Sequence, residues 1–178
     1  MQFEQEIQMI DAGTAKLPFL DNGVAQIAFV VEDLEKTVEN YYRNFGIGPW
    51  HFYTYEKPLV KKMSINGKPA DYRMRIALSY FGSARIELIQ HLDGDTVYKD
   101  FIKKHGYGIQ HLGFLVDDMD SALGQAEKAG FRVVMEGSGF GLDGDGHYAY
   151  LETDEDFGTT IELIERPVSK HPPEKIYP

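Results

Sequence analysis

The 178-residue chain contains no cysteine. That absence excludes disulfides, thiolate nucleophiles and every cysteine-ligated zinc or iron–sulfur site. Long apolar runs are missing too: the longest extend over only a few residues, too short for a membrane-spanning helix. Basic clusters are confined to Lys61-Lys62 and Lys103-Lys104, and 28 acidic against 18 basic side chains give a formal charge of −10. Such a balance argues against a nucleic-acid partner. The opening Met1-Gln2-Phe3-Glu4-Gln5-Glu6 has neither the basic start nor the apolar core of a secretory signal. The expectation is a cytoplasmic protein with no membrane or nucleic-acid partner. Its chemistry has to come from histidine, carboxylates, hydroxyls or a bound metal.

What the sequence does hold is core-forming material, with 43% apolar residues in a length that suits one domain or two small modules. It also holds an internal duplication. Val24-Ala-Gln-Ile-Ala-Phe-Val-Val-Glu-Asp33 parallels Ile109-Gln-His-Leu-Gly-Phe-Leu-Val-Asp-Asp118, with Phe29 matching Phe114 and Asp33 matching Asp118. Each copy ends in the same tetrapeptide, Ile86-Glu-Leu-Ile89 and Ile161-Glu-Leu-Ile164. In the first copy, a strand over 24–31 leads to a helix capped by Asp33 and stopped at Gly46, then strands over 49–57, 70–81 and 84–90. In the second, a strand over 109–116 leads to a helix capped by Asp118, then strands over 131–137, 147–153 and 159–165. The pattern is βαβββ twice, an α+β fold. It divides into an N-terminal extension (1–21), a first module (22–93), a connecting helix (94–108), a second module (109–166) and a C-terminal tail (167–178). Both extensions read as lying outside the repeats, packed across a partner subunit or mobile.

Strand alternation assigns faces. Ile27, Phe29 and Val31 suit the sheet face that the helix covers, which sends Gln26 to the opposite face. The same phase sends His111, Glu87 and Glu162 to that side. A carboxylate midway along an apolar strand is costly to bury unless it is paired or ligates a metal. Only Arg75 and Arg85 lie near enough in the strand pattern to neutralise these glutamates. Taken singly, each glutamate reads as a solvent-facing edge residue, and Gln26 and His111 as ordinary core polars. The four in register favour an oxygen-and-nitrogen ligand set for a divalent ion.

The paired modules, with Gln26-Ile-Ala-Phe-Val-Val-Glu-Asp-Leu-Glu, Ile86-Glu-Leu-Ile, His111-Leu-Gly-Phe-Leu-Val-Asp-Asp and Ile161-Glu-Leu-Ile, resemble the vicinal oxygen chelate superfamily over residues 22–166. The resemblance implies a cupped mixed sheet with helices on its outer face, a homodimer, and a divalent ion (Ni, Co, Zn or Mn) held by Gln26, Glu87, His111 and Glu162. Extradiol dioxygenases in that superfamily use two histidines and one glutamate, which Gln26 disfavours. Glyoxalase I uses Gln, Glu, His and Glu in this order. Methylmalonyl-CoA epimerase usually has histidine at the first position and glutamine at the second, yet Gly108-Ile-Gln-His111 and the Tyr148-to-Glu162 hairpin read closer to it.

The implied activity is that of a metal-dependent isomerase, epimerase or lyase of the glyoxalase type. Such an enzyme removes a proton α to a carbonyl through a metal-stabilised enediolate, with Glu162 and Glu87 as the proton-transferring residues. The alternatives are a metal-free protein that sequesters an aromatic or antibiotic ligand, and an assembly module with a vestigial site. For a small-molecule substrate, Trp50, Phe52, Tyr53, Tyr72, Met74, Tyr148, Tyr150 and His147 are the expected pocket residues. Gly137–Gly146 has neither a phosphate-loop lysine nor calcium-loop spacing and reads as a hairpin connection able to close over ligand. Cationic residues for an anionic ester are scattered: Lys57, Lys61, Lys62 and Arg73.

Overall fold

The computed structural model describes residues 17–178. After a 3-10 turn at Pro18–Leu20, the first half of the chain forms β1 (Gln26–Val30), α1 (Leu34–Phe45), β2 (Trp50–Tyr55), β3 (Lys62–Ile65), β4 (Lys68–Pro69), β5 (Arg73–Phe81) and β6 (Ala84–Asp93). The connecting helix α2 (Val97–His105) leads to β7 (Gly108–Leu115), α3 (Met119–Lys128), β8 (Val133–Ser138), β9 (His147–Leu151), α4 (Asp154–Phe157), β10 (Thr160–Glu165) and β11 (Lys175–Tyr177). All eleven strands join one curled mixed sheet in the order β11-β2-β5-β6-β1-β7-β10-β9-β8-β3-β4.

The two halves mirror each other about β1 and β7. These strands pair antiparallel, while each pairs in parallel with the last strand of its own repeat, β6 or β10. Both outer helices start as the sequence requires. Asp33 accepts from the Lys36 amide at 3.0 Å and Asp118 from the Ser121 amide at 2.9 Å, satisfying donors that a helix start leaves free. Gly46 ends α1 in the left-handed conformation, with φ 67°. Leu34 and Val38 of α1 bury against Phe52, Ile86 and Leu88, and Met119, Ala122 and Ala126 of α3 against Phe114, Leu151 and Leu163. Both helices therefore lie on the outer face, and the opposite face is left to close around a third cluster that includes Tyr72, Met74, Tyr98, Tyr148 and Tyr150.

Two features differ from the expected pattern. The hairpin β3–β4 was not anticipated; it leaves the first repeat and pairs with β8 of the second. Its turn carries Asn66-Gly67, both at positive φ, the residue pair that two-residue hairpin turns favour. The tail, outside the two repeats, packs on its own chain. Between β10 and β11 it crosses to the glycine-rich connection, where Gly141 bridges Lys170 and the Val168 amide donates to Asp145, and β11 then pairs with β2 of the same chain. The N-terminal extension falls largely outside the described residues. Among the described residues, no helix is long and apolar enough to cross a membrane.

Candidate metal centre

Four neighbouring strands, β6, β1, β7 and β10, each bring one polar residue to the concave face: Glu87, Gln26, His111 and Glu162. Register sets them in two rows. Gln26 and Glu162 both lie opposite Gly113, while Glu87 and His111 both lie opposite Ala28. The residue between each pair is thus one of the two smallest available, leaving room for the longer side chains to converge above it. Gly113 has little to spare: a Cβ there would meet Ile164 at 2.8 Å, Gln26 Cβ at 2.9 Å and Glu162 Oε2 at 3.2 Å.

All four residues are buried. The Gln26 amide nitrogen donates to Glu87 Oε2 at 2.8 Å and Glu162 Oε2 at 3.0 Å, and lies 3.2 Å from His111 Nε2. His111 Nε2 is 3.1 Å from Glu162 Oε2 and 3.5 Å from Glu87 Oε2. Ligand atoms of Glu87, His111 and Glu162 all fall within 4.8 Å of one another, a three-ligand group able to hold a metal ion. Two carboxylates and an imidazole fit a divalent cation in charge and donor type. Gln26 stands differently. Its Oε1 accepts from Arg85 Nε at 2.5 Å, so its nitrogen faces the centre, and the amide has to turn over and release Arg85 before its oxygen can ligate.

His111 is held by a residue that strand alternation misses. Gln110 Oε1 lies 2.7 Å from His111 Nδ1, and the Gln110 amide nitrogen donates to Thr160 at 3.0 Å, so Nδ1 carries a proton and Nε2 faces the carboxylates. The β1–β7 register shifts between Ala28 and Phe29, which leaves Gln110 unpaired as the extra residue of a bulge. Burial pulls the imidazole pKa down, but the charge and hydrogen bond of Glu162, followed by those of Glu87, outweigh it and raise the value to about 9. Because the folded value is raised, this pairing stabilises the metal-free protein fully below the ordinary histidine pKa near 6.5, and the contribution is lost as pH rises through about 9. A metal must displace that proton. Divalent-ion affinity is therefore expected to rise about tenfold per pH unit from pH 7 towards 9 and then level, with one proton released per ion. Calorimetric titrations across pH 6–10 in buffers of different ionisation enthalpy check this; an affinity independent of pH contradicts it.

Of the expected pocket residues, Tyr72, Met74, Tyr148 and Tyr150 are buried on the concave side. The Tyr150 ring meets the His111 ring edge-on at 5.1 Å, and its hydroxyl lies 2.6 Å from that of Tyr98 on α2. Burial, then the charges of Glu87 and Glu162, hold the Tyr98 hydroxyl well above the usual tyrosine range. Trp50 and Phe52 are instead buried beneath α1, on the outer face. The phase of β2 sends Tyr53 and Tyr55 inward, and the Trp50 indole donates to the Ile47 carbonyl. His147 is also removed from the ligands. On β9 it falls out of phase with Tyr148 and Tyr150, and it lies 3.2 Å from Glu136. Arg75 pairs with Glu35 on the outer surface, whereas Arg85 sits at the centre.

A cavity of about 40 Å³ contains Gln26, Glu87 and Glu162 and is closed by Tyr55, Phe140 and Tyr148 together with Pro167 of the tail. Three cations line it, Arg85, Arg166 and Lys170, in place of the scattered lysines expected. Lys57 and Arg73 are tied to Asp71 and Glu56 elsewhere. A larger cavity, about 340 Å³, opens beyond Gln110 and Thr160, but none of the metal-ligand candidates lines it. The smaller space is the one where the buried charges meet.

Solved structures share this architecture. Methylmalonyl-CoA epimerase from Mycobacterium tuberculosis is 24% identical, with a TM-score of 0.63 over 88% of this chain and 94% of that one. A methylmalonyl-CoA epimerase variant from Streptomyces coelicolor, in complex with 2-nitronate-propionyl-CoA, is 19% identical, with a TM-score of 0.56 over 84% and 97%. A hypothetical protein from Bacillus halodurans is 18% identical, with a TM-score of 0.57 over 83% and 96%. No curated protein matches the chain. Residues 25–150 match the model of one family, most of the repeat pair that carries the four polar residues, and the chain belongs to the Glyoxalase/Bleomycin resistance protein/Dioxygenase superfamily.

Proposed function

We propose that the chain is a metal-dependent isomerase or epimerase that removes and returns a proton α to a carbonyl. The observation that carries this reading is the placement of two buried carboxylates. Glu87 on β6 and Glu162 on β10 flank the Gln26–His111 pair from opposite sides, the placement that a two-base inversion at carbon uses, with one base for each face. Bound by Glu87, His111 and Glu162, a divalent ion supplies Lewis-acid stabilisation of negative charge developing on a substrate oxygen. Glu162, through a carboxylate oxygen not committed to the ion, would accept the proton, and Glu87 would serve the opposite face in the same way. Gln110 fixes the His111 ring, and Tyr55, Phe140 and Tyr148 exclude water from the cavity. The acyl-CoA complex of the Streptomyces relative supports a thioester as the substrate form. A cavity of about 40 Å³ cannot admit such a molecule whole, so Pro167 and Lys170 of the tail have to move for it to bind.

The test has two stages. The purified protein is reconstituted with nickel, cobalt, zinc or manganese and its metal content measured; near-stoichiometric uptake of at least one is expected. Proton exchange of α-carbonyl thioesters in deuterated water is then followed by NMR, with deuterium appearing at the α-carbon. Failure to take up any of the four ions overturns the reading in favour of metal-free ligand sequestration. Uptake without exchange of any thioester overturns it in favour of a vestigial site.

A further inference from the structure

Arg85 carries an unusual burden. It is 7% exposed, yet among the described residues it makes no ion pair; Gln26 Oε1 is its side-chain hydrogen-bond partner. Arg43, Arg73, Arg75 and Arg132 all reach carboxylates from more open positions. A guanidinium offers five N–H donors in a planar fork suited to bidentate oxyanions, and burying one without an anion carries a large desolvation penalty. Arg85 and the exposed Arg166 are the two described arginines without a carboxylate partner, and Arg85 is the buried one.

It does not stand alone. Arg166, just past β10, and Lys170 of the tail line the same cavity, so three cations face the two carboxylates of Glu87 and Glu162. Arg166 and Lys170 are both exposed residues. Even so, burial of the Lys170 ammonium, then repulsion from Arg85 and Arg166, push its pKa below the ordinary lysine range, with Glu87 opposing. Once a divalent ion balances the two glutamates, the cavity keeps an excess of positive charge. At about 40 Å³, where one water needs about 10–15 Å³ on the same scale, the cavity has room for a few waters. That suits the head of a substituent rather than a whole ligand.

We propose that Arg85, with Arg166 and Lys170, forms an oxyanion subsite adjoining the metal centre, which takes a carboxylate or phosphate group of the substrate. The subsite rests on the proposed function only in that its occupant is the molecule presented to Glu162 and Glu87. The amide of Gln26 separates it from the ligands, with oxygen on Arg85 and nitrogen on Glu87, so the group held there lies one side chain away from the reacting carbon's base.

The test uses the full-length protein, metal-loaded and metal-stripped, with malonate and inorganic phosphate as probes and malonamide as the neutral control. Dissociation constants come from calorimetry, and metal content is measured in every sample. One or both anions are expected to bind both forms, with malonamide not binding. Stronger malonate binding assigns the subsite to a carboxylate and stronger phosphate binding to a phosphate group. Arg85→Gln is expected to weaken anion binding on the order of tenfold or more, with metal stoichiometry retained. The double variant Arg166→Gln/Lys170→Gln touches more exposed positions and decides the matter if Arg85→Gln does not fold; a loss of several-fold is expected. Anion binding that needs the metal and ignores all three cations overturns the proposal, as does an absence of binding by either anion. Should no divalent ion bind while malonate or phosphate still depends on Arg85, the proposed function fails and the subsite stands.

Discussion

Glu162→Gln is expected to slow α-proton exchange by about 10²- to 10⁴-fold, the range that a positioned general base contributes. The substitution keeps shape and keeps an oxygen to accept from the Gln26 amide nitrogen, which lies 3.0 Å from Glu162 Oε2 in the native chain. It removes the negative charge and the ability to take a proton. His111 loses its nearest carboxylate partner, so its raised pKa should fall and its proton be displaced more easily by metal. The variant therefore separates two roles: some metal binding survives through Glu87 and His111, while exchange does not. NMR-detected deuterium incorporation, with metal content measured on the same sample, provides the check. Near-normal exchange would remove Glu162 from the reaction. Glu87→Gln extends the test, because bases on opposite sides predict that each variant impairs exchange from a different enantiomer.

Gly113→Val is expected to cost about 3 kcal/mol of stability, at the upper end of what overpacking a filled site does. The position tolerates no carbon beyond Cα without movement of Ile164 and of the Gln26 stem, and branching at Cβ adds two more atoms there. The displaced side chains include two of the four in the site, so divalent-ion uptake should fall even at temperatures where the variant is folded. Gly124→Ala on α3 is the matching control: nothing lies within 4 Å of its Cβ, and replacing a helical glycine there should stabilise by about 0.5–1 kcal/mol. Urea denaturation of both variants, read beside metal titrations, distinguishes loss of the site from loss of the fold. Equal stability of Gly113→Val and the native chain would contradict the packing argument.

Where alternation is clean, the sequence alone brings the four polar residues to one face. Ile27 and Phe29 against Gln26 and Ala28 leave no doubt about phase, and the repeated Ile-Glu-Leu-Ile places each glutamate unambiguously. β2 carries no legible phase, because Trp50-His-Phe-Tyr53 is aromatic on both faces, and Trp50 and Phe52 lie on the side opposite to the one expected. Gln110 is illegible for a different reason: only a bulge, which local sequence does not announce, brings it beside its neighbour's ring. Arg85 was legible as a basic neighbour two positions before Glu87. Its lack of a carboxylate partner was not, since that depends on which strands lie alongside. The path of the tail depends on long-range pairing between β11 and β2, for which no short motif exists.

The ends of the sheet limit how copies of the chain can meet. One margin is β4, two residues long and containing Pro69, which has no amide hydrogen to offer; the other is β11, three residues long and followed by Pro178. Without the tail, the longer β2 would stand open to strand addition from another molecule. Among the described residues the chain covers its own longer margin, and what it leaves open to strand addition is two short edges next to proline.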